Sequence, residues 1–233
     1  MDLWIIITLI AATAQTVRFM LQKHLKATQL STAGATFARF IYSAPLVAVI
    51  AIIYAMVSGQ GGPQIPFAFW AYAAWGGISQ IVATMCVVAL FAHRNFAVGI
   101  TFKKTEVILA AVVGFVILGD TLTMPALIAI LIGLVGVLLI SDPPEATGHW
   151  AKRIFNRASG LGVLSGLLFA FSGNGYRGAS LSLGDGDPFY RAIITLAFVT
   201  AFQTVIMAIW LVWREKGEIT RVWQARRVAI WVG

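Results

Sequence analysis

Two lysines and a glutamate, in the run Lys103-Lys104-Thr105-Glu106, open an apolar stretch of about twenty residues that is otherwise uncharged. Such a group can do one of two things in lipid. It can line a water-filled cavity, where ammonium groups attract a carboxylate or phosphate and a carboxylic acid exchanges protons. Alternatively, the long lysine stems snorkel to the interface and the acid simply pairs with its neighbour. Glu106 lies three residues after Lys103, on the same face of a helix, so an ion pair is within reach. It is also the one acid well inside an expected helix, which makes it the candidate for proton coupling.

Further cations stand inside apolar runs: Arg18, Arg39, Arg177 and Arg191. A charge at a bilayer centre costs about 2.5–3.5 kcal/mol on insertion scales, so each needs a cavity, a partner or a route to the interface. Gln15 and Asn174 sit beside two of them, and Gln80 and Gln203 lie in other apolar runs. Such amides either line a solute path or bond across helices. Gln15, Arg18, Arg39, Lys103, Lys104, Glu106, Asn174, Arg177 and Arg191 are therefore the substrate-path candidates. No spacing among His24, His93 and His149 resembles a metal site. Cys86, the single cysteine, excludes an internal disulfide and reads as a small buried hydrophobe. No cofactor and no catalytic residue is expected.

The elements that position these residues must be membrane helices. The chain has 233 residues, 59% hydrophobic and 11% charged, with a mean hydropathy of +0.86. A soluble surface needs roughly 25% charged residues. Long unbroken apolar runs exclude the alternating pattern of a membrane barrel. The fold class is an all-α polytopic helical bundle, embedded as an integral multi-pass protein. The net charge of +8 would point a soluble protein toward nucleic acid. Here the basic residues fall between apolar runs, so the lipid bilayer is the partner and nucleic acid is not. The N-terminal run lacks a basic n-region and a cleavage site, and reads as a first span.

Seven helices are expected, over residues 3–22, 33–57, 67–92, 99–118, 124–140, 159–183 and 189–213. A basic linker covers 143–158, and a basic loop covers 214–227. The chain turns apolar again from 228. Lys and Arg gather after the first, third, fifth and seventh helices, which places those loops in the cytoplasm and the N-terminus outside.

An internal repeat runs through this order. Gln15 and Arg18 correspond to Asn174 and Arg177, Arg39 to Arg191, and Trp75-Gly76-Gly77 to Trp231-Val232-Gly233. A five-helix unit is odd, so its second copy enters the membrane inverted. Inverted repeats of this kind bind solute near the midplane, between the halves. The expected organisation is a first unit over 1–142, the linker over 143–158, and the first half of a second unit over 159–233. The chain is therefore expected to be a fragment, or a natural truncation, of a ten-helix protein of roughly 300 residues.

Leu118-Gly119-Asp120 and the glycine-containing run Gly133-Leu134-Val135-Gly136-Val137-Leu138-Leu139 resemble the closing helix pair of an EamA domain of the drug/metabolite transporter superfamily. Arg39, early in the second helix, is similar to the arginine of that family. Where relatives have a proline early in the fourth helix, this chain has Lys103 to Glu106. The resemblance covers about residues 3–141 and the start of a second domain. It implies a secondary transporter, not an enzyme, in a bacterial inner membrane. Its cargo would be a small metabolite, exported or imported by alternating access. Because cations outnumber acids in the spans, an amino acid or organic acid is expected as solute. Proton or other ion coupling and a homodimer stay open. The alternative is an intramembrane enzyme acting on a lipid or prenyl phosphate, which would need an Asp, His or Cys constellation.

Overall fold

Residues 99–118 do not form one helix. The computed structural model of the chain describes residues 3–59, 61–92, 96–121, 123–140, 157–184 and 186–233, and it divides that stretch at Lys104-Thr105. In chain order the helices are α1 (Leu3–Thr28), α2 (Thr32–Val57), α3 (Phe67–Leu90), α4 (Phe96–Lys103), α5 (Glu106–Leu118) and α6 (Met124–Ile140). After these come α7 (Arg157–Ser182), α8 (Pro188–Arg214), α9 (Glu218–Gln224), α10 (Arg226–Ala229) and a final 3₁₀ turn, Ile230–Val232. Every regular element among the described residues is helical. His93, Arg94, His149, Asp185 and the linker up to residue 156 lie outside the described residues.

The division between α4 and α5 is a tightening of the ladder. Lys104 N donates to Thr101 O at 2.9 Å and Thr105 N to Phe102 O at 3.1 Å, both three residues back. Such 3₁₀ geometry inside a helix marks strain or a hinge. Locally, the Thr105 hydroxyl donates to Phe102 O at 2.8 Å, in competition with the ladder. A neighbouring helix also packs on the break. A Cβ on Gly166 of α7 would lie 2.9 Å from Lys103 O and 3.2 Å from Glu106 N, so α7 presses its bare backbone against the break.

Among the described residues four helices are long and apolar enough to cross a membrane: Ile5–Thr28, Thr32–Val57, Phe67–Leu90 and Pro188–Arg214. The other expected spans differ for separate reasons. The fourth is divided into segments of 8 and 13 residues, and α6 has 17. The 26-residue α7 is long enough, but it exchanges apolar side chains for Gly, Ser and Asn because it is buried among helices instead of facing lipid. Its most extensive contact is with α3, then with α4 and α5; α2 lies mainly along α8. The α3–α7 crossing is so close that a Cβ on Gly175 would lie 2.7 Å from Gly76 Cα. Small residues allow this approach in lipid, where packing rather than hydrophobicity drives association.

Two boundaries move. The first helix continues to Thr28, not to residue 22, because Gln22 and Leu25 turn inward while Lys23 and His24 stay outside. The basic stretch 214–227 is not a loop. Glu218, Val222, Ala225 and Ala229 are buried, a helical period that sets α9 and α10 against α2.

Candidate functional site

The break in the α4–α5 segment turns Lys103 into the protein, where it is 4% exposed. Its ammonium lies 4.5 Å from the Phe169 ring centroid and 5.8 Å from that of Phe19. It donates to Glu106 Oε2 at 2.6 Å. Aromatic faces and one carboxylate thus hold the charge in a site that excludes most water. The Glu106 side chain is 33% exposed, on the outer side of the pair.

Arg18 and Arg39 converge on the same region. The Arg18 guanidinium is near enough to Arg39 and to Lys103 for the like charges to repel. Arg39 donates from Nη1 to Thr84 Oγ1 at 3.0 Å. Arg18 lies 5.2 Å from the Phe19 centroid, and its Nε is buried without a hydrogen-bond partner. Three cations thus lie in a sequence of mutual repulsion, and among the described residues Glu106 is the acid paired with one of them.

Beside them a cleft of about 450 Å³ opens between α1 and α4. Gln15, Thr16, Phe19 and Lys23 line it from α1, and Lys103 and Lys104 from the other wall, with Phe91 at one end. Its size is that of a small-molecule pocket. A second cleft, about 420 Å³ between α2 and α8, is lined by apolar residues such as Ala51, Pro63 and Phe198.

The remaining candidates stand elsewhere. Asn174 donates to Ala110 O at 3.0 Å and to Ala170 O at 2.9 Å. Arg177 pairs with Asp120, in the turn that ends α5. Both tie α7 to α5. Arg191 donates to Gly184 O at 2.6 Å, just before its own helix. Gln15, Arg18, Arg39, Lys103, Lys104 and Glu106 thus gather on the α1–α4 side, and Asn174, Arg177 and Arg191 do not join them.

Behind the cations lies a polar network that sequence reasoning saw only in part. Gln203, fully buried, donates to Gly77 O at 3.0 Å, Gln80 Oε1 at 2.9 Å and the Tyr176 hydroxyl at 2.9 Å. Tyr176 in turn donates to Gln80 at 2.5 Å. The two glutamines were visible as amides in apolar runs. Tyr176 and Phe169 were not, because aromatic residues are ordinary in a membrane helix.

At the start of α8 the geometry is equally specific. Asp187 caps α8 by accepting from Phe189 N at 3.1 Å and Tyr190 N at 3.3 Å, and it also accepts from the Tyr54 hydroxyl. Tyr54, then the two amides and the Arg191 charge, hold the Asp187 carboxyl below its usual range against a desolvation effect of opposite sign. Among the described residues no group of three His, Cys, Asp or Glu is placed to hold a metal ion.

The chain matches the EamA-like transporter family over residues 2–142, more than half its length. No curated protein and no solved structure matches it. Apolar spans, a divided helix carrying charge inside the bundle and a cleft beside it accompany that match, and the chain belongs to the EamA-like transporter family.

Proposed function

We propose that the chain moves a small metabolite, an amino acid or organic acid, across a bacterial inner membrane by alternating access. The α1–α4 cleft is part of its path. The observation that carries this reading is the cleft wall itself. Lys103 and Lys104 face a space of small-molecule size, and Arg18 and Arg39 add positive charge behind them. Fixed charges in a low-dielectric cleft raise the local concentration of an oppositely charged solute.

The moving parts in this reading are two units of inverted orientation, a five-helix unit and the first half of a second, which begins at α7. Two pairings support it. The helices α2 and α8, corresponding members of the two units, pack on each other. The α3–α7 contact has its counterpart in the packing of α1 against α10 and the final turn. The Lys- and Arg-rich connections then face the cytoplasm. Glu106, paired with Lys103 yet partly exposed, is the group assigned to proton coupling.

Purified protein in liposomes, offered a panel of amino acids, organic acids and amines, tests the proposal. Saturable uptake of a member of the first two groups is expected. Flux no greater than in protein-free liposomes for every compound contradicts it. For coupling, Glu106→Gln is expected to abolish stimulation by an imposed pH gradient; undiminished stimulation rules out that role.

A further inference from the structure

We infer that the outer face of α9 and α10 is a docking surface for the headgroups of anionic phospholipids. Such a surface is independent of what the α1–α4 cleft carries.

The stretch from Arg214 to Arg227 holds five cations and two acids, and the fold sorts them. Both acids turn inward. Glu215 accepts from the Ser31 hydroxyl, and Glu218, 2% exposed, accepts from Ser31 N at 2.5 Å. Arg214, Lys216, Arg221, Arg226 and Arg227 are all exposed. Arg221 reaches back to Glu218 at 3.2 Å. Lys216, Arg226 and Arg227 pair with no acid among the described residues. On the opposite face Val222, Ala225 and Ala229 share a core with Leu25 of α1 and Ala33 of α2. One side of α9 and α10 is thus fixed against the bundle, and the other presents positive charge.

The height of this face selects the partner. The membrane-crossing α8 ends at Arg214, so the residues that follow begin at the level of the lipid headgroups. Trp213 and Trp223, 75% and 62% exposed, stand among the cations. The Arg214 guanidinium lies 5.3 Å from the Trp213 ring centroid, and that of Arg226 lies 5.4 Å from the Trp223 centroid. Exposed indoles beside cations suit a membrane boundary, where the ring settles among headgroups and the cation meets a phosphate. A nucleic acid or acidic protein arriving from water would meet the cations but not the apolar side of that boundary. Phosphatidylcholine answers the cations poorly, because its own ammonium offsets its phosphate. Phosphatidylglycerol carries the net negative charge they lack.

The two lipids, with identical acyl chains, are titrated into the purified chain in an uncharged detergent, and bound lipid is counted by native mass spectrometry. Phosphatidylglycerol is expected to bind at least fivefold more tightly. Each cation near an anionic lipid surface is worth about fivefold in affinity. Replacing Lys216, Arg226 and Arg227 together by Gln should therefore weaken phosphatidylglycerol at least tenfold and leave phosphatidylcholine unchanged. The charge-keeping set Lys216→Arg, Arg226→Lys and Arg227→Lys should retain the preference. If the triple Gln variant does not fold, Arg227→Gln alone is expected to lose about fivefold. Equal binding of the two lipids, or an undiminished preference in the Gln variants, overturns the inference. So does displacement of phosphatidylglycerol by equimolar glycerol phosphate, which would mark a site for a soluble phosphate instead of a membrane lipid.

Discussion

The Tyr54 hydroxyl, near the end of α2, is donated to Asp187, the residue that caps the start of α8. At the opposite ends of the same two helices the relationship is repeated in reverse. Ser31 caps the start of α2 and donates its hydroxyl to Glu215, the residue that follows α8. Each helix therefore has its N-cap tied to the other's C-terminal end. The capped amides and the partial positive charge of a helix start make both places favourable for a carboxylate.

Replacing Asp187 separates the cap from the charge. Asp187→Ala removes the acceptor for two amides and for Tyr54, and is expected to lower stability. Asp187→Asn keeps a good cap but loses the charge, and should fall between wild type and Asp187→Ala. Thermal unfolding in detergent reads the difference; equal losses for the two variants would show that charge, not capping, dominates.

The pH dependence of that tie has a definite sign. A carboxyl whose value in the folded protein is depressed adds stability at all pH above its unfolded value, about 3.9, and loses it as pH falls through the folded value. Tyr54→Phe is thus expected to lie below wild type by a constant amount between pH 5 and 8. The gap should close below about pH 4. A gap that changes between pH 5 and 8 would mean that another group titrates there.

Glu218 is only 2% exposed, and its carboxylate accepts from Ser31 N at 2.5 Å and from Arg221 at 3.2 Å. It can lie this close because residue 34 is glycine; a Cβ there would strike the Glu218 side chain. Gly34→Ala is expected to destabilise by about 1–3 kcal/mol, the usual range for overpacking. In Glu218→Ala the same substitution should cost much less, a coupling that a double-mutant cycle measures. Additive effects would place the clash elsewhere.

The Lys103–Glu106 pair is asymmetric, and so are its predicted variants. Glu106→Gln leaves a nearly buried ammonium with two aromatic faces and no carboxylate. Lys103→Gln leaves a carboxylate that is 33% exposed and able to hydrate. Losing one partner of a fully buried pair costs about 3–5 kcal/mol, and the partial exposure of Glu106 places its own stranding well below that. Glu106→Gln is expected to lower the unfolding midpoint more than Lys103→Gln. The reverse order would mean that Glu106 needs Lys103 more than Lys103 needs Glu106.

The helical bundle was legible because apolar runs of about twenty residues have few other uses. What stayed hidden was whatever distant residues decide. The Lys104-Thr105 break has no proline or glycine to announce it, and Gly166 of another helix packs closely against it. The helical face of α9 and α10 was masked by the basic residues between Glu218, Val222, Ala225 and Ala229. Gln15, Lys103 and Lys104 stood out as polar residues among apolar ones, and they share a cleft. Arg177 stood out in the same way, yet its partner Asp120 lies on another element, and no local pattern pairs them. Phe169 gave no signal, although it holds the Lys103 ammonium.

If solute passes through the α1–α4 cleft, a thiol placed on its wall is exposed to reagent and shielded by solute. Cys86, the single cysteine, is buried and can be replaced by serine to give a cysteine-free background. With Gln15→Cys introduced on the cleft wall, a charged thiol reagent is expected to abolish liposomal uptake, and saturating solute is expected to protect against it. Full modification at position 15 with uptake unchanged would contradict the account.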